Sequence, residues 1–196
     1  MKIYLIRHGE TQFNQEQRYQ GSLDVPLSEE GGRKLTAAEF CPDVVYTSHM
    51  RRTMETAHLI FPGAQLIPVR DLREMSFGVY EGRSKADLAG DPEYETWLAS
   101  GFVDTCPGAA EDHDTFVRRT CEAFAALVDD GVRRGMENLV IVAHGGTQMA
   151  VLSSFADERR AFGRWLTGNG AGYVLETARW QGERLLTVKK EIRYSV

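Results

Sequence analysis

No apolar run in this sequence approaches the ~20 residues that a helix needs to cross a bilayer, and the charged, strand-like N-terminus lacks the apolar core of a signal peptide. The expected location is cytoplasmic, with no membrane partner. Cysteine is scarce: Cys41, Cys106 and Cys121 are odd in number and never spaced Cys-x-x-Cys. That excludes a disulfide framework or a cysteine zinc site and fits free thiols in a reducing compartment. Lysine is scarce too, 5 against 18 arginines, and the Arg-Arg pairs at 51/52, 118/119, 133/134 and 159/160 are dispersed along a chain of net charge −5. Dispersal argues against a nucleic-acid stripe, so an anionic substrate needs a local pocket of positive groups. There is no Gly-x-x-x-x-Gly-Lys-Ser/Thr loop, which excludes a P-loop nucleotide site. No cysteine has an arginine six positions later; those positions hold Thr47, Asp112 and Leu127. The cluster Glu111-Asp112-His113-Asp114 has metal-ligand residue types, but it lies at an expected helix start, where acidic residues suit the dipole, so no metal is assigned. No linker, repeat or low-complexity segment interrupts the chain.

What is present fits one domain over residues 1–196, large enough to bury a hydrophobic core, with 42% hydrophobic and 26% charged residues. Two apolar runs stand out. Ile3 to Ile6 reads as a buried strand that ends at Arg7-His8-Gly9, and Leu139 to Ala143 repeats the arrangement before His144-Gly145-Gly146. If the two strands lie side by side and parallel, about 4.8 Å apart, both imidazoles face one small site at the strands' C-terminal ends, where open α/β sheets place ligands. Ser28 caps an expected helix running to about Phe40. Asp43 to Ser48 reads as a strand, Met50 to Phe61 as a helix with Met54, Ala57, His58 and Phe61 on one face, and Gln65 to Val69 as another strand. This alternation predicts βαβ units and a mainly parallel sheet. From about 71 to 111 the pattern is aromatic, glycine-bearing and irregular, a lid-like excursion longer than an ordinary connection. A helix from Asp112 to Arg134 carries a stripe of Phe116, Thr120, Phe124, Leu127 and Val128. A helix from Thr147 follows, then a terminal pair of strands, Tyr173 to Ala178 and Arg184 to Ile192, turning around Gln181-Gly182.

Arg7-His8-Gly9, Ser48-x-x-x-Arg52-x-x-x-Thr56-Ala57, Leu72-x-Glu74-x-x-Phe77-Gly78-x-x-Glu81-Gly82 and Ala143-His144-Gly145-Gly146, in this order, resemble the histidine phosphatase superfamily, also called the phosphoglycerate mutase-like family. The resemblance runs the length of the chain and implies a three-layer α/β/α sandwich. It also implies metal-independent hydrolysis of a small phosphorylated metabolite through a phosphohistidine, with no cofactor. His8 is then the nucleophile, Arg7, Arg52 and His144 bind the phosphoryl oxygens, and Glu74 is the general acid. Asn14, Gln20, Gly21 and the Gly145 N–H border the phosphate. Arg51 is the adjacent alternative to Arg52, and Glu81 competes with Glu74; counting from Ser48 favours Arg52, and the Leu-x-Glu placement favours Glu74. His49, His58 and His113 match no motif and read as structural, and Tyr94, Trp97 and Phe102 read first as packing within the excursion.

Phosphoglycerate mutases of this family are longer and carry an Arg-His-Tyr-Gly segment after the glutamate, where this chain has Met75-Ser76-Phe77-Gly78. The small phosphatase branch is the better resemblance. Pro107-Gly108-Ala109-Ala110-Glu111-Asp112 loosely echoes a Pro-Gly-Gly-Glu-Ser segment of α-ribazole phosphatases, which points to α-ribazole 5'-phosphate. The alternatives are a cofactor-dependent mutase and a non-catalytic phosphate-binding or interaction module on the same fold. The expected assembly is a monomer or homodimer.

Overall fold

The computed structural model describes all residues, Met1–Val196. In chain order its elements are β1 (Lys2–Arg7), α1 (Gln12–Gln15), α2 (Glu29–Arg33), β2 (Val44–Thr47), α3 (Arg51–Ile60), β3 (Gln65–Pro68), α4 (Lys85–Leu88), α5 (Pro92–Ala99), α6 (His113–Arg133), β4 (Asn138–Ala143), α7 (Gly145–Phe155), β5 (Ala171–Glu176), α8 (Trp180–Glu183) and β6 (Thr187–Arg193). The strands form one sheet in the order β3-β2-β4-β1-β5-β6. β3, β2, β4 and β1 pair in parallel, and β5 runs antiparallel to both β1 and β6.

Strand alternation divides the core. Ile3, Leu5, Leu139 and Ile141 face α6 and α7, meeting Phe124, Val128, Val151 and Leu152. Ile6, Val140 and Val142 point the other way, toward Ala57, Ile60 and Phe61 at the end of α3. Nearly continuous apolar runs in β1 and β4 follow from this arrangement, because strands covered by helices on both faces have no polar side. The result is the α/β/α sandwich expected from the sequence.

Some elements differ. α2 starts at the expected Ser28 cap, whose hydroxyl accepts from Gly31 N, but ends at Arg33 instead of continuing to Phe40. Two adjacent glycines weaken the helix. Gly31 also approaches the Glu10 carbonyl so closely that a Cβ there would lie 2.0 Å from its oxygen. Beyond the helix Leu35 bridges to Ser195, Thr36 N donates to Tyr194 O at 2.7 Å, and Phe40 stacks on Tyr4 at 4.6 Å, so long-range pairing replaces local helix. On α3 the buried face is Arg52, Thr53, Thr56, Ala57 and Ile60, and His58 is exposed; the apolar reading missed that this face is largely polar. Gln181 and Gly182 lie in α8, not in a tight hairpin turn, because the indole of Trp180 is buried against Phe124 and Phe155. Asp112 caps α6 through Thr115 N, and Glu111 pairs with Arg119. No group of three or more His, Cys, Asp or Glu side chains converges as a metal site, and no helix is long and apolar enough to cross a membrane.

The segment from 70 to 111 holds two 3₁₀ turns, α4 and α5, and has its own apolar cluster: Tyr80, Leu88, Tyr94, Trp97 and Cys106. Tyr94 and Trp97 pack there as expected, and Met75, Phe77 and Phe102 reach the cavity described next.

Candidate active site

The parallel register that sets Arg7 opposite Ala143 brings the residues after both strands to one level. His8 N donates to Ala143 O at 2.9 Å, and the two imidazoles meet edge-on with centroids 5.4 Å apart. A third strand end, that of β2, leads to Ser48 and α3. Here part of the motif spacing acquires a physical meaning, since Arg52 and Thr56, four apart, share the buried face of α3, while Ser48 precedes the helix. Ser48 Oγ lies 2.8 Å from His144 Nε2, the Arg52 guanidinium is fully buried, and Thr56 Oγ1 accepts from Gly9 N at 2.8 Å.

Arg7, His8, Asn14, Gln20, Gly21, Arg52, Glu74 and Gly145 line a single cavity of about 360 Å³. His144, fully buried, is the expected site residue that lies behind its wall, against His8. Arg51, the alternative to Arg52, is exposed and paired with Glu55.

Hydrogen bonding aims the donors. Arg52 spends Nη1 on Leu23 O at 2.7 Å and Nη2 on Gly21 O at 3.0 Å, and Arg7 spends Nη1 on Thr167 O at 2.7 Å. The forks are therefore anchored from one side to backbone. Arg7 Nε, Arg52 Nε and His144 Nδ1 are all buried and have no partner in the protein. Each such group carries a standing cost of about 1–3 kcal/mol, which an anion accepting its hydrogen bond would remove. Gly145 adds the first turn of α7, where backbone N–H groups lack helical partners and the dipole favours negative charge.

His8 Nδ1 lies 2.7 Å from Gly9 O. A carbonyl can only accept, so Nδ1 carries the proton and Nε2 keeps its lone pair. Burial is the main force holding the His8 pKa well below its ordinary value, with Arg52 and Arg7 pushing the same way. His144 is lowered likewise, first by burial and then by Arg52. Burial also lowers both arginines against the opposing pull of Glu74, Arg52 to about 10, which leaves Arg52 charged at neutral pH.

Glu74 Oε1 accepts from Met75 N at 2.9 Å and Oε2 from Gly146 N at 3.1 Å, which fixes the carboxyl group over the start of α7. Glu81 serves differently. Its oxygens accept from Ser22 N, Phe77 N and Ser22 Oγ at 2.9, 2.9 and 2.6 Å, tying the Gly21–Ser22 turn to the excursion, and it does not line the cavity.

Two supporting residues escaped the sequence reading. Asn169 Nδ2 sits within 3.2 Å of His8 O and Gly9 O and 3.1 Å from Asn14 Oδ1. Asn14 Oδ1 also accepts from Thr11 N and Thr11 Oγ1, so the amide of Asn14 is left with its NH₂ as the free end. Gln148, fully buried, donates to Leu5 O and Ala171 O and accepts from Thr167 Oγ1, bracing the strand behind His8. The Gly-flanked Asn169 just ahead of β5 was the available signal. Tyr19, Phe77, Phe102, Met149 and Leu166 give the cavity apolar walls, and Arg18 and Lys85 also line it.

Residues 3–189 match the family model described as Histidine phosphatase superfamily (branch 1). A Hydrogenobacter thermophilus protein bearing the name "Putative phosphoserine phosphatase 2" is 33% identical over 77% of this chain and 76% of its own. A 2,3-bisphosphoglycerate-dependent phosphoglycerate mutase of Corynebacterium efficiens is 31% identical over 77% of this chain and 74% of its own. In fold, the α-ribazole phosphatase of Shigella flexneri aligns with a TM-score of 0.81 at 23% identity, covering 100% of this chain and 96% of that one. The phosphoglycerate mutase of Thermus thermophilus aligns at 0.69 and 27%, covering 98% of each. The match over nearly the whole chain agrees with the paired His-Gly strand ends and the buried arginines: this chain belongs to branch 1 of the histidine phosphatase superfamily.

Proposed function

We propose that the protein is a metal-independent phosphomonoester hydrolase acting on a small phosphorylated metabolite. The observation that carries this reading is three buried nitrogens without a protein partner, Arg7 Nε, Arg52 Nε and His144 Nδ1, on residues grouped about His8, whose Nε2 is unprotonated. A phosphoryl group bound among these residues would bring oxygens that accept from them.

His8 Nε2 attacks phosphorus while the ester P–O bond breaks, and Glu74 gives its proton to the departing oxygen. Water then attacks the phosphohistidine, Glu74 takes a proton from it, and inorganic phosphate leaves with the imidazole restored. Arg7, Arg52 and His144 hold the phosphoryl oxygens throughout, each well-aimed donor being worth about 10²–10³ in rate. Asn14, through its free NH₂, Gln20, Gly21 and the Gly145 N–H complete the binding site.

Hydrolysis of p-nitrophenyl phosphate by the purified protein should persist in EDTA; activity lost on chelation and restored by a divalent ion would sink the mechanism. Phosphoserine and α-ribazole 5'-phosphate head the panel for kcat/KM, since relatives bear those names. 3-Phosphoglycerate belongs in the panel as well, and its efficient isomerisation under stimulation by 2,3-bisphosphoglycerate would favour a mutase.

Gly146 offers a sharper test of the acid. A Cβ at this position would lie 2.0 Å from Glu74 Oε1 and 3.0 Å from Phe116 Cζ. The first atom ends a flexible side chain, so Gly146→Ala should fold and push the carboxyl group aside. The expected cost on an alkyl phosphate is about 10- to 100-fold, part of the ~10²–10⁴ a general acid contributes. Wild-type kcat with a normal melting curve would show that the contact with α7 does not place Glu74.

A further inference from the structure

Ser48 has no place in the mechanism above, yet its hydroxyl is fully buried at a junction with three other groups. Met50 N donates to Ser48 Oγ at 3.3 Å, Thr53 Oγ1 lies 3.0 Å away, and His144 Nε2 lies 2.8 Å away. Thr53 Oγ1 also lies 2.8 Å from Met50 O and 3.0 Å from Ser48 O, two carbonyls that can only accept. The single Thr53 proton is therefore drawn to a carbonyl. The Ser48 proton then has two acceptors to choose between, Thr53 Oγ1 and His144 Nε2, and the imidazole is nearer and the better base.

That choice decides the proton on the far side of the ring. A neutral imidazole has one N–H, and the bond made by one nitrogen fixes the state of the other. His144 Nδ1 is buried with no protein partner, in a ring whose centroid lies 5.4 Å from that of His8. With Nδ1 bare, a lone pair would confront the negative phosphoryl oxygen. With Nδ1 protonated, an uncharged ring becomes a donor to it.

We propose that Ser48 is a positioning residue that holds His144 in the Nδ1–H tautomer, so that a neutral imidazole donates to the phosphoryl group. This rests on the phosphatase reading for its purpose, though not for its geometry. Both histidines of the site then share one tautomer for opposite uses. Gly9 O holds the proton of His8 on Nδ1 and leaves Nε2 to attack, while Ser48 occupies Nε2 of His144 and leaves Nδ1–H to donate.

The test is ¹⁵N NMR of histidine-labelled protein at neutral pH, with the His144 signals identified by their loss in His144→Gln. The wild type should show a protonated Nδ1 and a bare, hydrogen-bonded Nε2 for His144, and Ser48→Ala should shift that ring toward Nε2–H. For p-nitrophenyl phosphate, Ser48→Ala should lower kcat more than it raises KM, by no more than the ~10²–10³ of one lost donor. A wild-type His144 carrying its proton on Nε2 overturns the proposal, even if Ser48→Ala does not fold. An unchanged tautomer in Ser48→Ala also overturns it. If the tautomers are as expected but no phosphomonoester is hydrolysed, the phosphatase reading fails and the control of the ring by Ser48 stands.

Discussion

His8→Ala should reduce turnover of every phosphomonoester to below about 10⁻⁴ of wild type and leave no phosphorylated protein after an acid-free quench. The expectation follows from which nitrogens are free. His8 lines the cavity with Nε2 unprotonated, whereas the Nε2 of His144 is held at Ser48. His144→Gln should therefore slow the reaction but still permit labelling with ³²P-phosphate ester, as an acid-labile, alkali-stable phosphohistidine. If His8→Ala still labels and His144→Gln does not, the roles of the two imidazoles are reversed.

The effect of Glu74→Gln should depend on the leaving group. With an alkyl phosphate, whose alkoxide leaves poorly, most of the ~10²–10⁴ expected of a general acid is lost. With p-nitrophenyl phosphate the phenolate departs unaided, so transfer to His8 is nearly normal, hydrolysis of the phosphohistidine becomes limiting, and labelled protein accumulates. Glu81→Gln should show no such selectivity, because that carboxylate ties Ser22 to Phe77 and its loss loosens the wall for all substrates alike. Single-turnover phosphorylation of both variants with both substrates separates the cases. A selective loss in Glu81→Gln, with a uniform one in Glu74→Gln, would move the acid to Glu81.

The sequence was most legible where one local pattern dictates one structure. Apolar runs stopping at His-Gly gave both central strands, and the motif interval of four paired Arg52 with Thr56 on the buried face of α3, although the apolar face expected there, with Met54 and His58, was wrong. The same reading failed where a distant partner decides. Nothing near Leu35 announces that the C-terminal Tyr194–Ser195 will replace the rest of α2, and nothing near Gln181 announces that Trp180 will be buried. Asn169 and Gln148 were missed for a related reason. Each is an ordinary polar residue whose importance arises from contacts about 20 to 160 positions away, to Ala171 and Leu5 or to His8, Gly9 and Asn14. Ser48 was visible as a landmark, but its bond to His144 spans 96 positions and exists only once β2 and β4 are paired.

The separate aromatic cluster of the excursion bears on how such a protein can change over evolutionary time. Tyr80, Leu88, Tyr94, Trp97 and Cys106 form a core distinct from the two that clamp the sheet, and the same segment supplies Phe77, Phe102 and Lys85 to the cavity. A satellite core confines the cost of repacking to itself. Substitutions in the excursion can therefore reshape the outer walls while His8, Arg7, Arg52 and His144 stay rooted in the sheet and in α3. The arrangement separates the sheet-rooted residues from the part free to drift, which suits a chain whose relatives bear names as different as a phosphoserine phosphatase and a phosphoglycerate mutase.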